Sequence, residues 1–215
     1  MKIDVKEVTY TNTNTYNTLN VLSEKTENVW LVFHGIGFLS KYFLRYFKKL
    51  NPDKNYIIAP QAPSKYYLNN EFKYVGASWL TKESTAIEMG NVLHYIDAII
   101  ASEKIPLDKK LIVLGFSQGV SIATRWVTHR KINFNKLIIY AGSIPNELTT
   151  KDFDYLNFNI SKIELVYGDK DEYLSTERLK KEKKKSDSLF LKKARTTIFN
   201  GGHEVKTTIL LKFES

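Results

Sequence analysis

The sequence predicts an α/β fold with a mostly parallel central sheet flanked by helices, and three patterns carry that prediction. Short apolar runs recur at Val29 to Phe33, Tyr56 to Ala59, Leu111 to Gly115, Lys136 to Tyr140, Ile163 to Tyr167 and Thr196 to Phe199, each soon followed by Gly, Pro or Asn. Such runs suit strands buried on both faces. Segments of helical period separate several of them, and strands alternating with helices imply right-handed parallel crossovers. The run at Leu111 to Val120 (LIVLGFSQGV) is the third pattern, because it ends in a serine with glycines two places before and two places after. A strand that turns this sharply into a helix leaves no room for a Cβ at either flank.

The chain of 215 residues is 43% hydrophobic and 26% charged, enough to bury one sizeable core, and it shows neither a repeat nor an inter-domain linker. One domain over residues 1–215 is expected. The absence of cysteine rules out a disulfide framework, a thiol nucleophile and a thiolate metal site. Met1 to Tyr10 alternates apolar and charged residues rather than forming a signal-peptide core, and no stretch is long enough to span a bilayer. A cytoplasmic location is the expectation.

The formal net charge is +9, and Arg178 to Lys185 (RLKKEKKK) holds six basic residues and one acidic one. This run lacks interleaved aromatics, so it reads as a solvated helix face and no nucleic-acid partner is expected. A homodimer is compatible with the sequence but not required by it.

In chain order, Lys2 to Tyr10 and Thr13 to Leu22 alternate in the manner of strands around a TNTN turn and predict an antiparallel hairpin at one sheet edge. After the strand at Val29 to Phe33 comes His34-Gly35-Ile36-Gly37. Gly35 there allows the backbone to approach a bound group. Phe38 to Leu50 carries Phe38, Leu39, Tyr42, Phe43, Phe47 and Leu50 on a helical stripe. Gln61 to Leu80 has two prolines, a glycine and many aromatics without helical or strand period, and predicts a functional loop that walls an apolar pocket. Met89, Val92, Leu93, Ile96, Ile99 and Ile100 predict a helix from about Thr85 to Glu103. Val120, Ile122, Ala123, Trp126 and Val127 predict another behind the serine. The terminal segment turns Val205, Ile209 and Phe213 inward on a last helix.

Ser117 needs a base within hydrogen-bond reach, and the base needs an acid to fix its tautomer. Of four histidines, His94 lies inside a helix, His129 ends one, and His34 sits among glycines in a backbone role. His203, in a Gly-rich loop past the last strand, is the predicted base. The strand before it is followed by Asp169 and Asp171, either of which could be the acid. The Gln118 amide lies free at a helix N-terminus as an oxyanion donor, and the turn after His34 is placed to supply a second.

These residues resemble the phospholipase/carboxylesterase family of α/β-hydrolases, which contains acyl-protein thioesterases and small bacterial carboxylesterases. GFSQG (115–119), His34-Gly35, APQAP (59–63), SWL (78–80), the Gly168-x-x-Asp171 spacing and GGH (201–203) stand in the family's order, from about Val29 to Val205. The resemblance implies an α/β-hydrolase fold with Ser117, Asp171 and His203 as catalytic residues. It also implies oxyanion amides from Ile36 and Gln118, and Trp79 near the acyl pocket. Phe38 stands where many members have an acidic residue, and Val120 where a second glycine is frequent.

The expected activity is cofactor-free and metal-free hydrolysis of small or medium acyl esters through an acyl-enzyme. Thioesters, lysophospholipids or peptides as substrates stay open, as does a non-catalytic scaffold that binds a partner.

Overall fold

The computed structural model describes residues 3–214. Its strands are β1 (Tyr16–Leu19), β2 (Asn28–Phe33), β3 (Asn55–Pro60), β4 (Ser64–Tyr67), β5 (Val75–Ser78), β6 (Lys110–Phe116), β7 (Lys136–Tyr140), β8 (Lys162–Gly168) and β9 (Arg195–Phe199). Seven of them form one sheet in the order β1-β3-β2-β6-β7-β8-β9. Only β1 is antiparallel to its neighbour; the other pairings are parallel.

Alternation within the strands builds a core on each face, since successive side chains point to opposite sides. Val29, Leu31 and Phe33 of β2 pack with Leu137 and Ile139 of β7 toward α2 (Thr85–Glu103) and α3 (Gln118–His129). Trp30 and Val32 pack with Ile138 and Tyr140 on the other side, toward Phe43 of α1 (Ser40–Phe43) and Leu210 of α5 (Thr207–Leu210). Each fully buried Leu, Ile, Val or Phe contributes about 1.5–3 kcal/mol to this packing. The predicted helix 85–103 and the strand Lys136–Tyr140 coincide with the observed bounds. The lysine-rich run lies in α4 (Thr176–Leu189).

Three expectations are corrected. Among the described residues no N-terminal hairpin forms: β1 pairs with β3 from Tyr16↔Pro60 to Leu19↔Ile57, and residues 3–15 contain no strand. Lys2 lies outside the described residues. Ile3, Val5, Val8 and Tyr10 are exposed, and a two-stranded ribbon with nothing to pack against is marginal in water. The helix expected over 38–50 is instead the four-residue α1 followed by a 3₁₀ turn, Leu44–Phe47. Leu44, Phe47 and Leu50 are all buried, and their spacing of three is the period at which 3₁₀ side chains align. The aromatic segment at 61–80 holds an antiparallel pair, β4 with β5. All of β4 is exposed, so it has no in–out alternation for a pattern search to detect.

Deleting residues 3–12 is expected to move Tm by less than about 2 °C, since these residues add no strand to the sheet. A calorimetric drop of about 5 °C or more would show that they pack on the domain.

Candidate active site

Parallel register brings the turns that follow β2, β6, β7, β8 and β9 to one edge of the sheet. Phe33 pairs with Gly115, Phe116 with Tyr140, Tyr140 with Val166, and Gly168 with Phe199. Ser117, the Ala141–Gly142 turn, Asp171 and His203 therefore emerge together although they lie far apart in sequence.

Ser117 sits between β6 and α3 with φ 53° and ψ −118°, a left-handed conformation unusual for a residue with a side chain. Its amide donates to the Tyr140 carbonyl at 2.9 Å. Backbone crowding enforces the turn. A Cβ on Gly115 would fall 2.5 Å from the Gly119 oxygen and the Val120 nitrogen, and one on Gly119 would fall 2.1 Å from the Phe33 oxygen.

The Ser117 hydroxyl and His203 Nε2 are 2.9 Å apart, and His203 Nδ1 is 2.8 Å from Asp171 Oδ2. The Asp171 side chain is wholly shielded from solvent while that of His203 is slightly exposed, so the acid faces only protein. Its other oxygen accepts the Tyr173 amide at 2.9 Å. With a buried carboxylate on Nδ1–H, Nε2 is left to accept from the hydroxyl. Phe116 and Tyr173 pack on the His203 ring with centroids 5.0 and 4.8 Å away, and the Glu172 carboxylate accepts its backbone amide. Neither Phe116 nor Tyr173 nor Glu172 was singled out from the sequence. Their adjacency to Ser117 and Asp171 in the chain is the signal that could have found them.

Asp169 does different work from Asp171. It accepts the Gly201 amide at 3.0 Å, and the Lys170 amide donates to the Gly201 carbonyl, so Asp169 staples the acid loop to the histidine loop. Gly168 is needed at this contact, since a Cβ there would lie 2.1 Å from the Gly201 oxygen.

The turn after β2 lies beside the nucleophile: a Cβ on Gly35 would approach the Ser117 Cβ to 3.2 Å. Gly37 and Phe38 donate their amides to the Ala77 and Gly35 carbonyls. The Ile36 amide, by contrast, has no acceptor among the described residues. Gln118 opens α3, where amides lack partners within the helix, and its amide is likewise unclaimed among the described residues. Its side chain is fully used: Nε2 donates to the Leu80 carbonyl and the Ser78 hydroxyl at 2.7 and 3.0 Å, and Oε1 accepts the Trp79 amide at 2.9 Å.

Trp79, expected near the acyl pocket, follows the Ser78 hydroxyl that Gln118 Nε2 reaches. Its side chain has no exposed surface; the indole donates to the His34 carbonyl at 2.8 Å and packs against Phe33 and His34. It supports the turn from behind. The aromatic hairpin is also not a closed wall, because Tyr67, Phe72 and Tyr74 face solvent. Phe38 and Val120, which depart from the family pattern, are both packed: Phe38 lies edge-on to Phe116, and Val120 is fully buried beside Gly115 and Gly142. Among the described residues no group of three or more His, Asp or Glu side chains gathers to hold a metal ion.

With this geometry in view, the sequence profile of the phospholipase/carboxylesterase family matches residues 15–214. The chain belongs to that family. It is thus a hydrolase of the phospholipase/carboxylesterase type. No curated protein matches it significantly in sequence. Among solved structures, this hydrolase is similar to acyl-protein thioesterase 2 of Zea mays, with TM-score 0.69 and 15% identity over 94% of this chain and 97% of that one. A phospholipase/carboxylesterase of Dyadobacter fermentans gives 0.66 and 17% over 96% and 98%. The Bacillus cereus carboxylesterase gives 0.64 and 14% over 94% and 92%. At these identities the likeness is one of fold. No helix among the described residues is long and apolar enough to cross a membrane.

His34 holds the turn that presents Ile36. It is fully buried, with Nδ1 donating to the Gly35 carbonyl at 2.8 Å and Nε2 accepting the Ala62 amide at 3.2 Å. Burial pushes its pKa down to about 4, against the smaller opposing effect of the Gly35 carbonyl. Above pH about 6.5 the ring is neutral in both folded and unfolded chains. As pH falls from there toward 4, only the unfolded chain takes up the proton, so stability drops by about 3 kcal/mol in all. Urea unfolding is therefore expected to show the stability gap between wild type and His34→Gln narrowing from pH 7 to 4.5. A constant gap would contradict a buried neutral imidazole.

Proposed function

We propose that this protein is a serine hydrolase of the carboxylesterase kind, cleaving small or medium acyl esters through an acyl-enzyme, with Ser117, His203 and Asp171 as its catalytic triad. The observation that carries the reading is the continuous chain from hydroxyl to imidazole to carboxylate, 2.9 and 2.8 Å at its two links.

His203 Nε2 takes the Ser117 proton as Oγ attacks the carbonyl carbon. The carbonyl π electrons move to oxygen, and the Ile36 and Gln118 amides, which have no other acceptor among the described residues, donate to that oxyanion. Buried Asp171 stabilises the imidazolium. As the tetrahedral centre collapses, the bond to the alkoxide breaks and the imidazolium protonates the leaving oxygen, leaving an acyl ester on Ser117. Water then gives a proton to His203, attacks the acyl carbon and expels Oγ, which recovers the proton. The carboxylic acid departs and the serine is regenerated. A thiolate would leave by the same route, so an acyl thioester is equally within this chemistry, and the likeness to the maize acyl-protein thioesterase makes it a substrate class to assay beside oxygen esters.

Hydrolysis of p-nitrophenyl acetate and butyrate should fall by about 10⁴-fold or more in kcat for Ser117→Ala. Asp171→Asn should lose about 10⁴-fold, because the amide favours the wrong histidine tautomer. Asp169→Asn should lose far less than Asp171→Asn, since its bond to Gly201 is structural. Equal rates for wild type and Ser117→Ala would overturn the proposal, and equal losses at the two aspartates would overturn the assignment of the acid.

A further inference from the structure

On the side of the sheet that faces α5, strands β7, β8 and β9 change character partway along. Toward the catalytic edge that side carries Ile138, Tyr140, Val166 and Phe199, all packed in the core. Stepping back by twos along each strand keeps to the same side, and the residues met there are Lys136 on β7, Glu164 and Lys162 on β8, and Thr197 and Arg195 on β9. Together with Lys212 and Phe213 of the 3₁₀ turn Leu211–Phe213, they line an open groove of about 660 Å³. That is the size of a site for a small organic molecule. The groove lies about 15–20 Å from the catalytic edge, the length of β8.

The groove holds a buried acceptor with nothing to accept from. Glu164 is only 7% exposed, yet its carboxylate makes no hydrogen bond and no ion pair among the described residues, although Arg195 is its register partner on β9. Burial pushes its pKa above the ordinary carboxylate range, and the Arg195 and Lys136 charges offset this only in part. Buried polar groups are normally hydrogen-bonded, so this carboxylate marks a place for a donor from outside the chain. The cations fall into two sets. Lys136 Nζ donates to the Phe213 carbonyl at 3.0 Å, and Lys162 Nζ donates to the Asn159 carbonyl at 2.6 Å. Arg195 and Lys212 are exposed and make no hydrogen bond or ion pair among the described residues, which leaves a guanidinium fork and an ammonium group uncommitted in the same groove.

We propose that this groove binds a small phosphate ester that carries hydroxyl groups, of the sugar-phosphate class, with its phosphate on Arg195 and Lys212 and a hydroxyl donating to Glu164. Charge decides between such a ligand and a zwitterion of the amino-acid kind. Four cations against one carboxylate leave the groove positive, which favours a doubly charged anion over a neutral pair of charges. A guanidinium holds phosphate through two parallel hydrogen bonds, and a lysine adds a point charge. Glu164 supplies selectivity: it repels a bare anion, whereas an ester that sets a hydroxyl against it satisfies the buried acceptor. The site is separate from Ser117 and does not depend on the serine-hydrolase reading.

Isothermal titration calorimetry of the whole chain tests this with ribose 5-phosphate, inorganic phosphate and ribose as probes. Ribose 5-phosphate should saturate with a Kd below about 1 mM, inorganic phosphate should bind about tenfold more weakly, and ribose should give no saturable heat. Arg195→Ala, at an exposed position, should weaken binding of the ester by about tenfold or more. Glu164→Met removes an unpaired buried charge at similar volume, so the chain should still fold. It is expected to leave inorganic phosphate bound as tightly as before or more so, while erasing the advantage of the ester. Ser117→Ala should bind the ester as wild type does. No saturable binding of ribose 5-phosphate at about 10 mM, binding undiminished by Arg195→Ala, or binding lost with Ser117→Ala would each overturn the inference. Equal affinities for the ester and inorganic phosphate would overturn it as well, by reducing the groove to an unselective anion patch. None of these outcomes bears on the triad.

Discussion

The structure depends on how closely backbone passes backbone around Ser117. Gly119 lies against the Phe33 carbonyl, Gly115 against Gly119 and Val120, and Gly142 against the Ser117 carbonyl itself, each at a distance that any Cβ would close. These contacts press the start of α3 onto the ends of β2, β6 and β7. The cost is a left-handed serine, about 1–3 kcal/mol of strain, which persists because the buried β2 and the buried C-terminal half of β6 over-determine the turn. The same crowding leaves the Gln118 amide at the head of the helix and lifts the hydroxyl out of the sheet.

Pairing between β8 and β9 supplies the other half of the arrangement. Gly168 opposite Phe199 starts two loops side by side, and the bonds from Asp169 and Lys170 to Gly201 tie them together. Neighbouring acids thus divide the labour: one fastens the loops, the next faces His203. His34 plays the comparable part on the far side of Ser117, where its two ring nitrogens connect Gly35 to Ala62. An imidazole that must donate at one nitrogen and accept at the other serves there only while neutral, which is the state its burial favours.

The parts legible in the sequence are those where burial imposes a period. Helix 85–103 and strand 136–140 could be read to the residue because each must hide one stripe or both faces in the core. Ser117 and His203 could be read because each follows the end of a strand, Asp171 is separated from Asp169 only by the family's spacing, and the neighbourhood of the three loops follows from parallel register. The segments that misled are governed by other forces. Residues 3–10 alternate like a strand but leave Ile3, Val5, Val8 and Tyr10 exposed with no core face to bury, and residues 38–50 are apolar enough for a helix yet pack at a spacing of three. Strand β4 exposes both faces, so it carries no alternation. The hydrogen bond from the Trp79 indole N–H to the His34 carbonyl carries no pattern in the sequence. In α4, Arg178, Lys180, Lys181, Lys183 and Lys184 are exposed as the sequence predicts, while composition could not single out the half-buried Lys185 bound to two carbonyls.

The most direct test of the central claim is covalent labelling of the folded chain by a fluorophosphonate, followed by intact mass and peptide mapping. The hydroxyl activated by His203 should take up one phosphonyl group per chain, located on Ser117, and His203→Ala should slow labelling by about 10²-fold or more. A folded chain that stays unlabelled, or one labelled at the same rate without His203, would contradict the account.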